Sequence, residues 1–385
     1  MRILAFCDYF AEPSSGGAER VALEVYRRLA DQGATIRVIT AMPSTMQPVR
    51  SIERLEVRVI PSLELARPLG IQASLAPSLF LKLRSLANDF RPDVLHANTL
   101  FFQTSLAAAL VARATGIPLV TSVQIAGLDL MPQPARLLGI AYERTLGRFV
   151  LSQSARVIAP GASVRDHLVR LGTPANRIDL VPNGVDLRRF WPQHEMLQND
   201  PPVIAFIARL IVNKGPETLL SALLQLRREG VAFKAVFIGE GPLRRRLEQR
   251  ALPLGSAVAF LGQQPDVAPH VRQADLLVRP SLTEGMPLGI LDAMASRVCV
   301  IASNIDGNRD LVSHGQNGVL FPVEDPTRLA EAIRELLANP ARRAELAEAG
   351  YQTAQGFGWD AIVARTAAVF ASIIPPASQK RLEAA

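Results

Sequence analysis

Short β-branched runs alternate with helical stretches along the whole chain, in two separate series, and this leaves few folds open. The first series is Ile3 to Asp8, Thr35 to Thr40, Glu56 to Pro61, Asp93 to Ala97, Leu119 to Gln124 and Arg156 to Pro160. The second is Val203 to Ala208, Phe233 to Gly239, Val258 to Gly262, Leu276 to Pro280, Cys299 to Ser303 and Gly318 to Pro322. Strands that alternate with helices predict βαβ units and parallel sheets. The expected class is therefore α/β, with two doubly wound sheets. Ala18, Ala22, Val25 and Leu29 recur at helical spacing with Gly33 as a stop, so a helix is expected there. Between the two series lies a polar, proline-bearing stretch from Phe190-Trp191-Pro192 to Asp200-Pro201-Pro202 that reads as a linker. The expected domains are 1–190, 191–358 and a terminal segment 359–385. That segment is a final helix over Trp359 to Ile374 after a helical region at 326–356, and then a frayed polar end, Ser378 to Ala385.

A chain of 385 residues suits two domains of roughly 180 residues each, and 49% hydrophobic residues supply two large cores. Cys7 and Cys299 each sit inside an apolar run, which suggests neither a disulfide framework nor a metal site. No apolar run reaches the roughly 18 residues of a membrane span; the best candidate, Thr99 to Ala112, ends at Arg113. The run Ile3 to Phe6 is too short for a signal peptide, so a cytoplasmic protein is expected. The formal charge of +7 comes almost wholly from Arg, a residue suited to phosphates. With no basic run interleaved with aromatics, nucleic acid is not the expected partner. A nucleotide diphosphate and an anionic membrane surface are.

The richest stretch for chemistry runs from Arg279 to Met294 and reads as a strand end, a tight turn and a helix. Pro287 suits a first helical position. The unpaired N–H groups and dipole at such a start, within Gly285, Met286, Pro287, Leu288 and Gly289, favour a phosphate or a polarised sugar oxygen. Glu284 stands at the mouth, and Asp292 lies further along the same helix. The plainer reading makes Glu284 a helix cap and Asp292 a solvated residue. A second element, Ile207 to Pro216, is again a strand, a loop and a helix start. It brings Arg209 and Lys214 to the carboxyl end of a strand, where open α/β sheets bind ligands. A guanidinium fork and an ammonium there would hold a diphosphate and take up its growing charge. The glycine turn Phe237 to Pro242 is weaker, since such turns often serve only to reverse the chain.

In the first domain the paired Gly16 and Gly17 form a flexible anion nest between the first strand and the first helix. Among the histidines, His96 ends a strand and either lines an acceptor cleft or is satisfied within the fold. His167, His194, His270 and His314 read as structural. Asn183 and Gly184 read as a turn closing the first domain. Ser74 to Phe90 and Ala135 to Phe149 mix Leu and Phe with Lys82, Arg84, Arg136, Arg144 and Arg148, as do membrane-surface helices and also ordinary core-facing ones.

These motifs, in this order, resemble the large retaining glycosyltransferase family of GT-B fold marked by Glu-x7-Glu (glycosyltransferase family 4, glycosyl transferases group 1). The resemblance runs from Gly16-Gly17-Ala-Glu-Arg through Asp93-Val-Leu-His-Ala, Val157-Ile-Ala, Arg165-Asp-His-Leu and Pro182-Asn-Gly-Val-Asp186 to Arg209, Lys214 and Glu284-Gly-Met-Pro. It implies two Rossmann-like domains facing across a cleft, the first for an acceptor and the second for a nucleotide sugar of UDP or GDP type. Arg209 and Lys214 would bind the diphosphate, Glu284 would meet the donor sugar, and Gly16 or Gly17 would approach the β-phosphate. The base would lie near Gly262, and the last helix would cross back onto the first domain. Two departures stand out. The second acid is Asp292 rather than Glu, one methylene shorter toward a ribose. Gln124 stands where many members carry a histidine, and an amide cannot carry that charge.

The function expected on these grounds is retaining, metal-independent transfer of a sugar to a sugar or lipid-linked acceptor in polysaccharide, lipopolysaccharide or glycolipid synthesis, with Glu284, Arg209 and Lys214 catalytic. No cofactor is expected, and peripheral contact at the inner membrane face is. Two alternatives stay open: a nucleotide-sugar epimerase of the same fold, and a non-catalytic nucleotide-sugar-binding subunit.

Overall fold

A parallel sheet buried under two helical layers needs apolar side chains on both faces, and the strands of this chain supply them: Ile3, Leu4, Ala5 and Phe6 are all wholly buried. The computed structural model describes residues 1–12, 16–64, 74–81, 83–124, 135–192 and 199–374. It divides into two compact units, Met1–Pro182 with the described chain from Asp360 onward, and Asn183–Trp359.

The first unit contains β1 (Arg2–Phe6), β2 (Thr35–Met42), β3 (Leu55–Pro61), a short antiparallel pair β4 (Leu63–Glu64) and β5 (Ser74–Leu75), then β6 (Val94–Ala97), β7 (Leu119–Ser122), β8 (Ser154–Ala159) and β9 (Ile178–Leu180). Its main sheet is parallel throughout, ordered β3-β2-β1-β6-β7-β8-β9. The helix Gly17–Asp31 buries the expected Ala22, Val25 and Leu29. The final helix, Trp359–Ile373, sets Phe370 in the core of this unit, its ring centroid 5.1 Å from that of His96.

The second unit contains β10 (Val203–Ile207), β11 (Lys234–Ile238), β12 (Val258–Gly262), β13 (Leu276–Arg279), β14 (Cys299–Ser303) and β15 (Val319–Phe321). This sheet too is parallel, ordered β12-β11-β10-β13-β14-β15. In both units the strand order reverses beside the first strand, at β1 and at β10. Loops leaving the carboxyl ends of neighbouring strands diverge there and open a crevice.

Two expectations change, and a third gains detail. The division falls at Pro182 and Asn183 rather than near residue 190, because Val185 and Phe190 are fully buried in the core of the second unit. Asn183 and Gly184 open that unit instead of closing the first. The helical region at 326–356 is two helices, Pro326–Ala338 and Pro340–Gln355, broken where the Asn339 side chain accepts from Arg342 N at 3.0 Å ahead of Pro340. Strand β9 and the β4–β5 pair were not expected. The polar end from Ser378 lies outside the described residues, as do 193–198 of the presumed linker.

Candidate functional site

Two loops meet at the switch point of the second sheet. The loop after β10 carries Arg209 and Lys214, and the loop after β13 carries Ser281 and Glu284. Each is fixed by backbone contacts. Leu210 N donates to Glu240 O at 2.9 Å, Leu243 N to Leu210 O at 3.1 Å, and Leu282 N to Asn213 O at 2.9 Å. Gly215 closes the first loop at φ +66°, and a Cβ there would lie 1.9 Å from the carbonyl oxygen of Pro280. Only glycine lets the two loops touch at that point.

The second loop is braced from behind. Ser303 Oγ donates to Ser281 O, Asn308 Nδ2 donates to Ser303 O at 2.8 Å, and a Cβ on Gly307 would lie 2.4 Å from Glu284 O. Asn183 Nδ2 donates to Met286 O at 3.0 Å. Asn183, expected only to make a turn, therefore positions the loop that holds Glu284.

What this scaffold presents is a carboxylate between cations. Glu284 Oε2 accepts from Lys214 Nζ at 2.7 Å. Its Oε1 accepts from Arg279 Nη2 at 2.7 Å, Arg279 Nε at 3.0 Å and Ser281 Oγ at 2.8 Å. The side chains of Glu284, Arg279 and Lys214 are only 9%, 10% and 15% exposed. Burial alone would raise the Glu284 carboxyl, but Arg279 and Lys214 outweigh it and hold it at about 2. Burial lowers Lys214 to about 8; Glu284 works against that shift, and Arg279 and Arg209 add to it.

Several expectations are corrected here. Glu284 does not cap the helix; it turns toward the cations because a buried carboxylate needs counter-charge. Pro287 is the residue before the first helical one, since its ψ of 114° is extended, and the helix runs Leu288–Ala295. Asp292 is buried rather than solvated, at 4% exposure. Gly289 lies over Arg279, where a Cβ would sit 3.6 Å from Nη1. Gly262 ends β12 at φ +70°, its carbonyl accepting from Gly239 N at 2.8 Å beside the Glu240–Arg244 ion pair. Arg279 was missed as a functional candidate, because at the end of an apolar run it reads as a strand terminus.

The first unit differs. Gly16 and Gly17 open the helix Gly17–Asp31, but Glu19 folds back over the first of them: a Cβ on Gly16 would be 2.6 Å from Glu19 Oε2. The nest therefore already faces a carboxylate. His96 is 3% exposed, with Nδ1 2.7 Å from Tyr26 Oη and Nε2 2.8 Å from Ser122 Oγ, and burial pushes it down to about 3. It is a buried residue with both ring nitrogens satisfied within the fold. His167, read as structural, meets Glu143 Oε1 at 2.6 Å across two helical segments, a partner distant in sequence. Gln124 is half-buried just beyond β7. After β1, Asp8 is 2% exposed; burial pushes it up to about 7, against hydrogen bonds from the hydroxyl and amide of Thr104.

Known proteins match this architecture over nearly its whole length. The model of "Glycosyltransferase Family 4" matches residues 15–189, and that of "Glycosyl transferases group 1" matches 188–353. The chain is similar to the D-inositol 3-phosphate glycosyltransferase 1 of Catenulispora acidiphila, at 30% identity over 94% of this chain and 91% of that one. It is similar also to a D-inositol 3-phosphate glycosyltransferase of Frankia alni, at 29% identity over 90% and 92%. Among solved structures, HepE of Anabaena in complex with UDP superposes with a TM-score of 0.77 at 21% identity, covering 97% of this chain and all of that one. Sucrose-phosphate synthase of Thermosynechococcus elongatus does so with a TM-score of 0.80 at 22% identity over 97% and 98%. The chain belongs to glycosyltransferase family 4 and is a glycosyltransferase of GT-B fold.

Proposed function

We propose that the protein transfers a sugar, with retention of configuration, from a nucleoside diphosphate donor to an acceptor hydroxyl. The observation that carries this reading is the excess of cations over carboxylate where the loops after β10 and β13 meet. Lys214 and Arg279 share the single charge of Glu284, and Arg209 lies near enough to act on Lys214. A diphosphate that gains charge as its bond to the sugar breaks is the guest that such a site stabilises. Lys214, Arg209 and the amides at Leu288 hold the departing diphosphate, so the reaction runs without a divalent ion. The sugar passes through an oxocarbenium-like state. The acceptor attacks from the face the diphosphate leaves, and a phosphate oxygen takes its proton. Glu284 receives a donor-sugar hydroxyl, Asp292 the ribose, and the turn after Gly262 the base. UDP is the favoured nucleotide, since HepE is described in complex with it.

For the acceptor we favour a lipid-linked or polysaccharide sugar, reached from the cytoplasmic side of a membrane. Leu81, Leu137 and Leu138 are 88%, 61% and 68% exposed in the first unit, and Arg144 is exposed on the segment that follows the last two. That is the composition of a surface that touches anionic lipid. None of the described helices is long and apolar enough to cross a membrane. The names of the relatives favour a second reading, a phosphorylated cyclitol as acceptor.

Turnover of UDP-sugars should fall about a hundredfold in Lys214→Ala, equivalent to about 3 kcal/mol of barrier, and persist in the presence of a chelator. The product should keep the donor's anomeric configuration by NMR. An inverted product ends the retaining reading, and unchanged turnover in Lys214→Ala ends the diphosphate assignment. Sugar epimerised without an acceptor would identify an epimerase, and binding without any donor hydrolysis a sequestering subunit.

A further inference from the structure

We propose that Arg279 is the fixed counterion of Glu284, and that by neutralising this carboxylate it leaves the charge of Lys214 available to the donor's diphosphate. The inference rests on the donor reading above and assigns to β13 a positioning residue outside the loops that meet the ligand.

The geometry divides the carboxylate in two. Oε1 belongs to Arg279 and Ser281, and Oε2 to Lys214. Arg279 has little freedom to leave. Its Nη1 donates to Ile207 O at 2.9 Å, its fork grips Oε1 through Nε and Nη2, and the residue is 8% exposed beneath Gly289. Lys214 is held through one ammonium contact on a flexible stem, and its other donors can turn to a second anion. The charge count is simple. A Lys214–Glu284 pair alone would be neutral and offer a diphosphate little. With Arg279 added the cluster carries a net positive charge, and a guanidinium keeps it at every accessible pH. Sequence spacing hides this arrangement, because Arg279 adjoins Glu284 along the chain while Lys214 arrives from the neighbouring strand.

The charged groups facing Lys214 are Glu284, Arg279 and Arg209. Glu217, at the start of the next helix, is engaged by Arg246 and Arg250 instead. Removing Arg279 removes a like charge from beside Lys214, so the ammonium should hold its proton to higher pH.

The test is calorimetric titration of UDP and of GDP into the full-length wild type, Arg279→Met, and the double variant Arg279→Met with Glu284→Gln, each checked for a cooperative thermal transition. Arg279→Met should bind about tenfold more weakly. Wild-type affinity should fall as pH rises through about 8, and that of Arg279→Met should persist to higher pH. The double variant restores the net charge and should return to within about twofold of wild type. A merely structural arginine predicts no such recovery. If Arg279→Met does not fold, Arg279→Lys and Arg279→Gln replace it: the lysine should keep the affinity and the glutamine lose it. Equal binding by Arg279→Met and wild type, or no recovery in the double variant, overturns the counterion role while leaving the donor site standing. A wild type that binds neither nucleotide overturns both.

Discussion

The two units of this enzyme share one sheet plan and hold opposite electrostatics at the same place in it. Where the strand order reverses beside β10, a buried carboxylate lies between Lys214 and Arg279 and is held at about 2. Where it reverses beside β1, Asp8 is also buried, receives neutral donors from Thr104 and Gln103, and is pushed up to about 7. Burial acts in the same direction on both, and counter-charge decides the outcome. The fold states where a ligand crevice opens, whereas the side chains delivered there state what it accepts. The second unit suits an anion. The first instead sets a carboxyl that is half ionised near pH 7 at its switch point and folds Glu19 over Gly16.

The comparison breaks most readily at its backbone. Gly215→Ala drives a methyl into the Pro280 carbonyl at positive φ and should destabilise the protein by about 4 kcal/mol. Gly17→Ala, with nothing within 4 Å of the added carbon, should change stability by less than about 0.5 kcal/mol. Similar thermal midpoints for the two variants would show that the loops at β10 are not locked as described.

A second test uses pH, and its sign differs between the units. The Asp8 carboxyl keeps its proton in the native state after the unfolded chain has lost it. Its contribution therefore weakens stability as pH rises from about 4 to about 7. Glu284 is ionised in the native state before the unfolded chain ionises. Its contribution is complete above the ordinary glutamate range and is lost as pH falls toward about 2. Compared with wild type by urea unfolding, Asp8→Asn should gain about 3 kcal/mol between pH 4 and pH 7. Glu284→Gln should lose about 2 kcal/mol near neutrality, with the loss shrinking in acid. Parallel pH slopes for the two variants would remove the contrast.

The smallest effect concerns His96. Ser122→Ala takes a partner from a buried imidazole nitrogen and should cost about 1 kcal/mol of stability, with acceptor KM unchanged. A shift in that KM with stability intact would return His96 to the acceptor site.

Much of the fold could be read in advance because strands covered on both faces appear as unbroken aliphatic runs. Cys299–Ser303 and Val258–Gly262 were found residue for residue. Strand β9 was missed because Ile178–Leu180 is only three residues long with an aspartate at its centre, and the domain junction because Val185 and Phe190 hide among turn formers. The site was legible in parts. Arg209, Lys214 and Glu284 stand on loops whose position follows from the strands before them. Their pairing does not, because Lys214 and Glu284 are neighbours only through the adjacency of β10 and β13, which no local spacing encodes. Arg279 looked like the end of a strand, and His96 stayed open between a cleft and the core, because the partners that decide each case come from elsewhere in the chain: Ile207 for the first, Tyr26 and Phe370 for the second.

The ring of Phe370 also has a consequence for synthesis. It is wholly buried in the first unit, yet along the chain the whole second unit separates it from the rest of that unit. A ribosome finishes the second unit before it supplies that piece of the first. The amino-terminal half thus waits for its last wall, and a transcript cut short after the second unit yields a chain in which the His96 ring lacks its aromatic cover.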